Sequence, residues 1–161
     1  MKNCNICAVI PQIKPEFTLY DGDYWLANLR DTDQTLLATS FITAKRHVSE
    51  VDYLTVAEQE EFTVICNAVI RATRAAFEPI TFNISCLKND AFKEDPDNTP
   101  PEAAHVHWHI KPRYGTAPIE FAGDTFQDPA PGRYLADFER HRPSVQTAIA
   151  IADALRGNLS V

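Results

Sequence analysis

The chain has 161 residues, 45% of them hydrophobic and 23% charged, enough for one globular domain with a real core and too few for two comfortable ones. Its formal net charge of −7 argues against a general affinity for DNA or RNA, which rests on Lys and Arg neutralising phosphates, and leaves open a small nucleotide that needs only a few local donors. No stretch approaches the roughly 18 consecutive apolar residues of a membrane span, and Met1-Lys2-Asn3-Cys4 carries no apolar signal region, so the expectation is a soluble, cytoplasmic protein with no membrane partner.

Four cysteines in such a chain suggest thiols or metal ligands before disulfides. Cys4 and Cys7 form a Cys-x-x-Cys pair, which is half of a tetrahedral site. Cys66 falls in a helical pattern and Cys86 in a strand-like run, where a cysteine is a small core residue. After the pair, Phe17–Tyr20 and Tyr24–Leu29 read as strands joined by the hairpin-turn residues Asp21-Gly22-Asp23, and Thr35–Thr43 as a third extended run. Together they predict an antiparallel meander.

Thr55-Val56-Ala57-Glu58 fits a capping box, and Phe62, Ile65, Val69, Ala72 and Ala76 recur at steps of three and four, so a long helix is expected over Thr55–Phe77. Glu78-Pro79 ends it, and Ile80–Leu87 returns to a strand pattern. A polar, Pro-bearing loop, Lys88–Glu102, precedes a last strand over Ala103–Lys111. Beyond Tyr114 the chain is punctuated by Pro and Gly until Ser144, which is placed to cap a short helix running to about Arg156 and closed by Gly157. The fold class is α+β: an antiparallel sheet of about five strands, one long packed helix and a short C-terminal helix.

The last strand carries the chemistry. Side chains alternate across a strand, so His105, His107 and His109 share one face while Val106, Trp108 and Ile110 pack on the other. Such a row of imidazoles can ligate a metal, attack an electrophile or stabilise an anion. Alternate same-face positions lie about 6.5 to 7 Å apart, so one ion recruits two of them easily and three only with distortion, and no carboxylate lies in the strand to complete an open site.

His105-Val106-His107-Trp108-His109, followed by Ile110-Lys111-Pro112-Arg113, resembles the signature of the histidine-triad (HIT) family of nucleotide hydrolases and transferases. Cys4-x-x-Cys7 and Lys45-Arg46-His47 match upstream in the expected order, and the likeness spans roughly residues 4 to 114. It implies a single HIT domain over 1–161, with the triad strand at 103–111 and a C-terminal extension at 115–161, and a homodimer. It also implies that His105, His107 and His109 form the catalytic triad. His107 would be the nucleophile that takes a nucleotide's α-phosphate as a nucleotidyl-histidine, and His109 a donor to the phosphoryl oxygens or the leaving group. Asp31 occupies the place of a ribose-binding residue, although Asp31-Thr32-Asp33 also reads as a turn, and Asn89 is the nearest match to a substrate-contacting Asn.

Similarity to a zinc-bearing subset of the family implies a structural zinc held by Cys4, Cys7, His47 and His105, with no organic cofactor. The chain also departs from the pattern. Pro100-Pro101-Glu102 stands where many relatives have Gly-Gln-Ser against the phosphate, so an amide donor is lost and a negative charge added, and Ala38-Thr39 replaces a Gly-His pair. Two other readings stay open: a nucleotide-binding protein with little turnover, and a metal-binding protein that uses the three histidines jointly.

Overall fold

The computed structural model describes residues 4–92, 97, 99–133 and 138–161. Its main sheet has five antiparallel strands: β1 (Thr18–Asp21), β2 (Trp25–Leu29), β3 (Ser40–Ala44), β4 (Thr81–Ser85) and β5 (His107–Arg113), in the order β1-β2-β3-β5-β4. A helix α1 (Asn5–Val9) precedes them, α2 (Val56–Phe77) links β3 to β4, and α3 (Val145–Gly157) ends the chain. The expected α+β class, the long helix and the short C-terminal helix are all present. No helix among the described residues is long and apolar enough to cross a membrane.

The capping box of α2 forms as the sequence predicts: Glu58 N–H donates to Thr55 Oγ1, and Thr55 N–H to the Glu58 carboxylate. Ile65, Val69, Ala72 and Phe77 bury one stripe of the helix on the sheet, with Trp25, Leu29, Ile42, Val106 and Ile110 opposite. Trp25 is fully buried and donates its indole N–H to Glu58 O, whereas Trp108 stays half-buried with its ring 4.9 Å from that of Phe62. The buried Glu58 carboxylate is also paired with Arg46 at 2.5 Å, and that guanidinium holds its pKa down to about 2. This pair secures the Lys45-Arg46-His47 segment against the helix start. Ser144 caps α3 by accepting from Thr147 N–H.

Three extended runs are shorter than their sequence pattern suggests. The run at 35–43 becomes strand only at Ser40, because Asp33 Oδ1 captures Thr35 N–H and Oγ1–H, and the buried Gln34 side chain takes over the backbone of the turn. Its amide nitrogen donates to Arg30 O and Thr39 O while its oxygen accepts from Ala38 N–H, so hydrogen bonds that a strand would make across a ladder are made within the loop. The run at 80–87 pairs as strand only over Thr81–Ser85, and Lys88 beyond it has a φ of 53°. The triad strand begins at His107 and not at 103, and extends to Arg113. Its register with β3 stops at Thr43 opposite His107, since β3 turns away to carry His47, and Val106 N–H donates to Val48 O instead.

The C-terminal extension holds a hairpin that the sequence reading did not find: β6 (Ile119–Phe121) and β7 (Asp124–Phe126), turned at Ala122-Gly123 with φ values of 52° and 82°. It is pinned to the sheet by a buried ion pair, Arg113 to Asp128, with Nε–Oδ2 at 2.7 Å and Nη2–Oδ1 at 3.1 Å. Arg113 also donates to Asn83 Oδ1, Ala130 O and Arg133 O, so all of its fork is engaged.

Ala38 is fully buried with a φ of 66°, in the left-handed region that costs an L-residue with a Cβ about 1–2 kcal/mol. Ala38→Gly should therefore stabilise the fold by about 1 kcal/mol, net of the glycine's greater chain entropy, raising Tm by about 2–4 °C in thermal unfolding. An unchanged or lowered Tm would mean that the loop relieves the strain in another way.

Candidate functional site

β5 and the segment before it present the three histidines to two different places. His105 is fully buried, and both of its ring nitrogens are engaged on one side: Nε2–H donates to Ala44 O at 2.8 Å, and Nδ1 lies 3.4 Å from Cys4 Sγ and 3.3 Å from Cys7 Sγ. His47 repeats the arrangement, with Nε2–H on Glu102 O at 2.8 Å and Nδ1 3.4 Å from Cys7 Sγ. The four ligand atoms of Cys4, Cys7, His47 and His105 lie within 4.8 Å of one another.

A tetrahedral zinc with bonds of about 2.0–2.3 Å needs ligand atoms about 3.3–3.8 Å apart, so the set needs only a small contraction to close on such an ion. Two carbonyls fix both histidines with their Nδ1 lone pairs facing the thiols, the orientation a metal requires. Without an ion the Cys7 thiol is pushed up to about 11, chiefly by burial and then by Cys4. The residues fit a structural zinc.

His107 and His109 face a separate cavity of about 620 Å³, a volume suited to a small organic ligand. His107 is buried, and its Nδ1–H donates to His105 O at 2.8 Å, which leaves the Nε2 lone pair of the neutral ring free. That Nε2 lies 3.2 Å from His109 Nε2. With His107 Nε2 unprotonated, the shared proton sits on His109 Nε2, and His109 Nδ1, which has no partner among the described residues, is left as the bare nitrogen. Phe41 packs edge-on against both rings, at centroid distances of 6.1 Å and 4.8 Å. Once a ligand displaces the hydrogen bond between them, the pair can offer one nucleophilic nitrogen and one N–H donor at a single point.

The cavity's apolar wall comes from the N-terminal segment: Ile6, Val9, Ile10, Ile13 and Phe17. Its polar wall includes Asp31 and Asn89, so both residues singled out from the sequence reach the same space as His107 and His109. Asn28 and Arg30 at the end of β2 line it too, and Arg30 lies over the Phe41 ring with its Cζ 5.5 Å from the centroid. Lys14, Arg30 and Arg140 also line the cavity and escaped the sequence reading, because isolated cations in loops carry no periodic or spacing signal. Among the described lining residues, none comes from Pro100-Pro101-Glu102, whose Glu102 carbonyl is committed to His47.

No family model matches the chain. A curated relative, Protein hit from Bacillus subtilis (strain 168), is 30% identical over 114 residues, spanning 71% of this chain and 73% of that protein. Among solved structures, a zinc-bound histidine triad family protein from Mycobacterium smegmatis aligns with a TM-score of 0.60 at 17% identity, covering 96% of this chain and 94% of its own. A histidine triad protein from Sinorhizobium meliloti aligns with a TM-score of 0.65 at 16% identity, over 89% of each chain. Plasmodium falciparum diadenosine triphosphate hydrolase, in complex with Cyclomarin A, aligns at 0.56 and 15%, covering 90% of this chain and 77% of that one. At these identities the structural likenesses establish the fold.

Burial pushes the His109 imidazole down to about 3, and His107, Lys111 and Arg30 add to the effect, so it stays neutral across the physiological range. Its folded pKa lies below the ordinary 6.5, hence the unfolded chain takes up a proton between those values that the native state refuses. Stability due to this group is complete above pH 6.5 and falls as pH drops toward 3, by up to about 1.4 kcal/mol per pH unit. Denaturant unfolding between pH 4 and 7 should show a shallower acid-side slope in His109→Asn than in the parent; equal slopes would place His109 in contact with water.

Proposed function

Because the chain belongs to the histidine-triad family, we propose that it is a nucleotide-processing enzyme in which His107 attacks the α-phosphate of a nucleotide conjugate or dinucleoside polyphosphate. The observation that carries this reading is the hydrogen bond from His107 Nδ1–H to His105 O, which turns the Nε2 lone pair toward His109 and the cavity. In the first step the Nε2–P bond forms and the P–O or P–N bond to the leaving group breaks. His109 Nε2–H, held neutral, donates to the phosphoryl oxygen or the leaving group. Water then cleaves the nucleotidyl-histidine and regenerates the imidazole.

On this reading His105 supplies its carbonyl to the nucleophile and its ring to the metal, and does not itself touch the substrate. Asp31 accepts from the ribose hydroxyls, and Asn89 contacts the substrate from the far side. A diadenosine triphosphate hydrolase among the structural relatives supports a phosphoanhydride as the bond cleaved. The metal-triad alternative is disfavoured by geometry, since His105 points to the cysteines and only His107 and His109 share the cavity.

Replacing a nucleophile should cut kcat by several orders of magnitude and leave the pocket formed. His107→Asn is expected to bind a nucleoside monophosphate nearly as well as the parent, turn over almost nothing, and give no covalent adduct by mass spectrometry after quenching. His109→Asn should still form some adduct, slowly, because it lacks the donor and keeps the attacking atom. In the same titrations Asp31→Ala should weaken ribonucleotides more than deoxyribonucleotides. Near-normal turnover by His107→Asn would end the covalent reading.

We further propose that zinc occupies the Cys4, Cys7, His47 and His105 set, a reading supported by a zinc-bound histidine triad protein from Mycobacterium smegmatis among the structural relatives. α1 buries none of its own residues; Cys4, which caps it, and Cys7 within it tie it to His105 and His47, while Ile6 and Val9 of the same helix wall the cavity. Untagged protein purified without chelator should carry about one zinc per chain. Stripping the metal should lower both Tm and nucleoside monophosphate affinity. Metal-free protein with free thiols and unaltered affinity would sink the assignment.

A further inference from the structure

The C-terminal extension reaches the cavity at Arg140. His141 is hydrogen-bonded twice to the loop after β2: its N–H donates to Thr35 Oγ1 at 3.0 Å and its carbonyl accepts from Gln34 N–H at 2.8 Å. Its ring lies 4.9 Å from that of Phe126, and Nε2 is 3.2 Å from Asp124, so the β6–β7 hairpin holds it from the other side. These contacts set the preceding residue, Arg140, into the cavity wall beside Arg30.

The two guanidiniums share one carboxylate between them, and unequally. Arg30 Nη1 pairs with Asp33 Oδ2 at 3.0 Å, and Arg140 Nε reaches the same oxygen only at 3.8 Å, with its side chain 60% exposed. A contact at that distance and exposure contributes little, and leaves most of the guanidinium's donors free. Lys111, two residues after His109 on β5, is half-buried in the same field. Burial lowers the pKa of Lys111 and of Arg30; Arg30 lowers Lys111 further, Arg140 lowers Arg30, and Asp33 opposes both, on Arg30 by more than Arg140 contributes. Asp33, already bonded to Thr35, is shared by both guanidiniums, and Asp31 and Asp90 line the same cavity.

Clustering like charges at the rim of a partly dry cavity is unfavourable unless a bound anion offsets it. The reacting phosphate does not meet that need, since it belongs at His107 and His109, and Arg30 is separated from both rings by the intervening Phe41. We infer that Arg140, brought in by the C-terminal extension, forms with Arg30 a clamp for a second phosphoryl group of the nucleotide, distinct from the one attacked. The inference rests on the nucleotide reading above and narrows it to ligands carrying at least two phosphates. The second group has two possible sources, the next phosphate of a polyphosphate chain or a phosphate on the ribose, and both offer anionic phosphoryl oxygens to the paired guanidiniums.

The test uses the full chain with His107→Asn, to prevent turnover, and calorimetric titration with AMP, ADP and adenosine 3′,5′-bisphosphate, together with the guanosine equivalents. One of the doubly phosphorylated ligands should bind at least about tenfold tighter than the monophosphate, consistent with one or two charge-assisted hydrogen bonds. Adding Arg140→Gln should remove most of that increment, a larger loss than it causes for the monophosphate, and Arg140→Lys should restore only part of it because a point charge lacks the fork. A gain confined to the diphosphate identifies the polyphosphate chain, and a gain confined to the bisphosphate identifies the ribose. No gain from a second phosphate, or an equal loss for mono- and bisphosphates in Arg140→Gln, overturns the clamp while the nucleotide reading stands. Absence of any nucleotide binding by the His107→Asn chain removes both.

Discussion

The position of His105 is the constraint on which the site depends. Its ring joins the Cys4 and Cys7 thiols, its Nε2–H closes on Ala44 O, and its carbonyl receives the Nδ1–H of His107. A residue tied at ring and backbone cannot rotate without cost, so the carbonyl is a fixed acceptor and the His107 tautomer follows from it. The same cluster ties down α1, which has no buried residues of its own, and α1 supplies part of the cavity's apolar wall. One set of four side chains thus aligns the histidine strand and the cavity-lining helix at once, which a sheet alone does not do because β5 begins only at His107.

A second tie acts at the other end of β5. Arg113 and Asp128 are both nearly inaccessible, and breaking such a pair leaves an uncompensated buried charge, a cost of about 3–5 kcal/mol. The Asp128 carboxylate also accepts from Tyr114 N–H and Ala130 N–H, so the turn after β7 is organised by the same group. β5 is therefore fastened before its first residue by a metal-type cluster and at its last by an ion pair. The two histidines between them sit on a strand whose ends are fixed, which is the rigidity that a reacting nitrogen needs.

Much of this was legible in the sequence, for physical reasons that can be named. Thr55-x-x-Glu58 with an apolar stripe after it has few alternatives to a capped helix, and a His-x-His-x-His run with apolar residues between can only divide its faces. Alternation alone groups His105 with His107 and His109, and the family resemblance gives it also to Cys4, Cys7 and His47; the structure places its ring with the cysteines because the ladder begins only at His107. Gln34 hid the third strand's true start: a β-branched run looks extended until a buried amide takes its hydrogen bonds. The hairpin at Ala122-Gly123 lies in a segment whose Pro and Gly conceal short strands, and the partners of Arg113 in that segment, Asp128, Ala130 and Arg133, lie 15 to 20 residues downstream of it. Arg30 and Arg140 are brought together by tertiary structure alone, so no local pattern announces them.

The loss of the Gly-Gln-Ser element has a structural counterpart. Pro100 and Pro101 have no amide hydrogens to give, and the Glu102 carbonyl faces His47, so this stretch braces the metal-type cluster. Donors aimed at the ligand must then come from elsewhere, and the cavity's lining supplies them as side chains: the neutral His109 at the reacting point and the guanidiniums of Arg30 and Arg140 along the opposite wall. Backbone amides recognise a phosphate through short, fixed hydrogen bonds, whereas guanidiniums at a rim act by charge over several ångströms and tolerate variation in the ligand's length. On the nucleotide reading, the exchange of the one for the other shifts selectivity away from the geometry of the reacting phosphate and toward the total negative charge of what is bound.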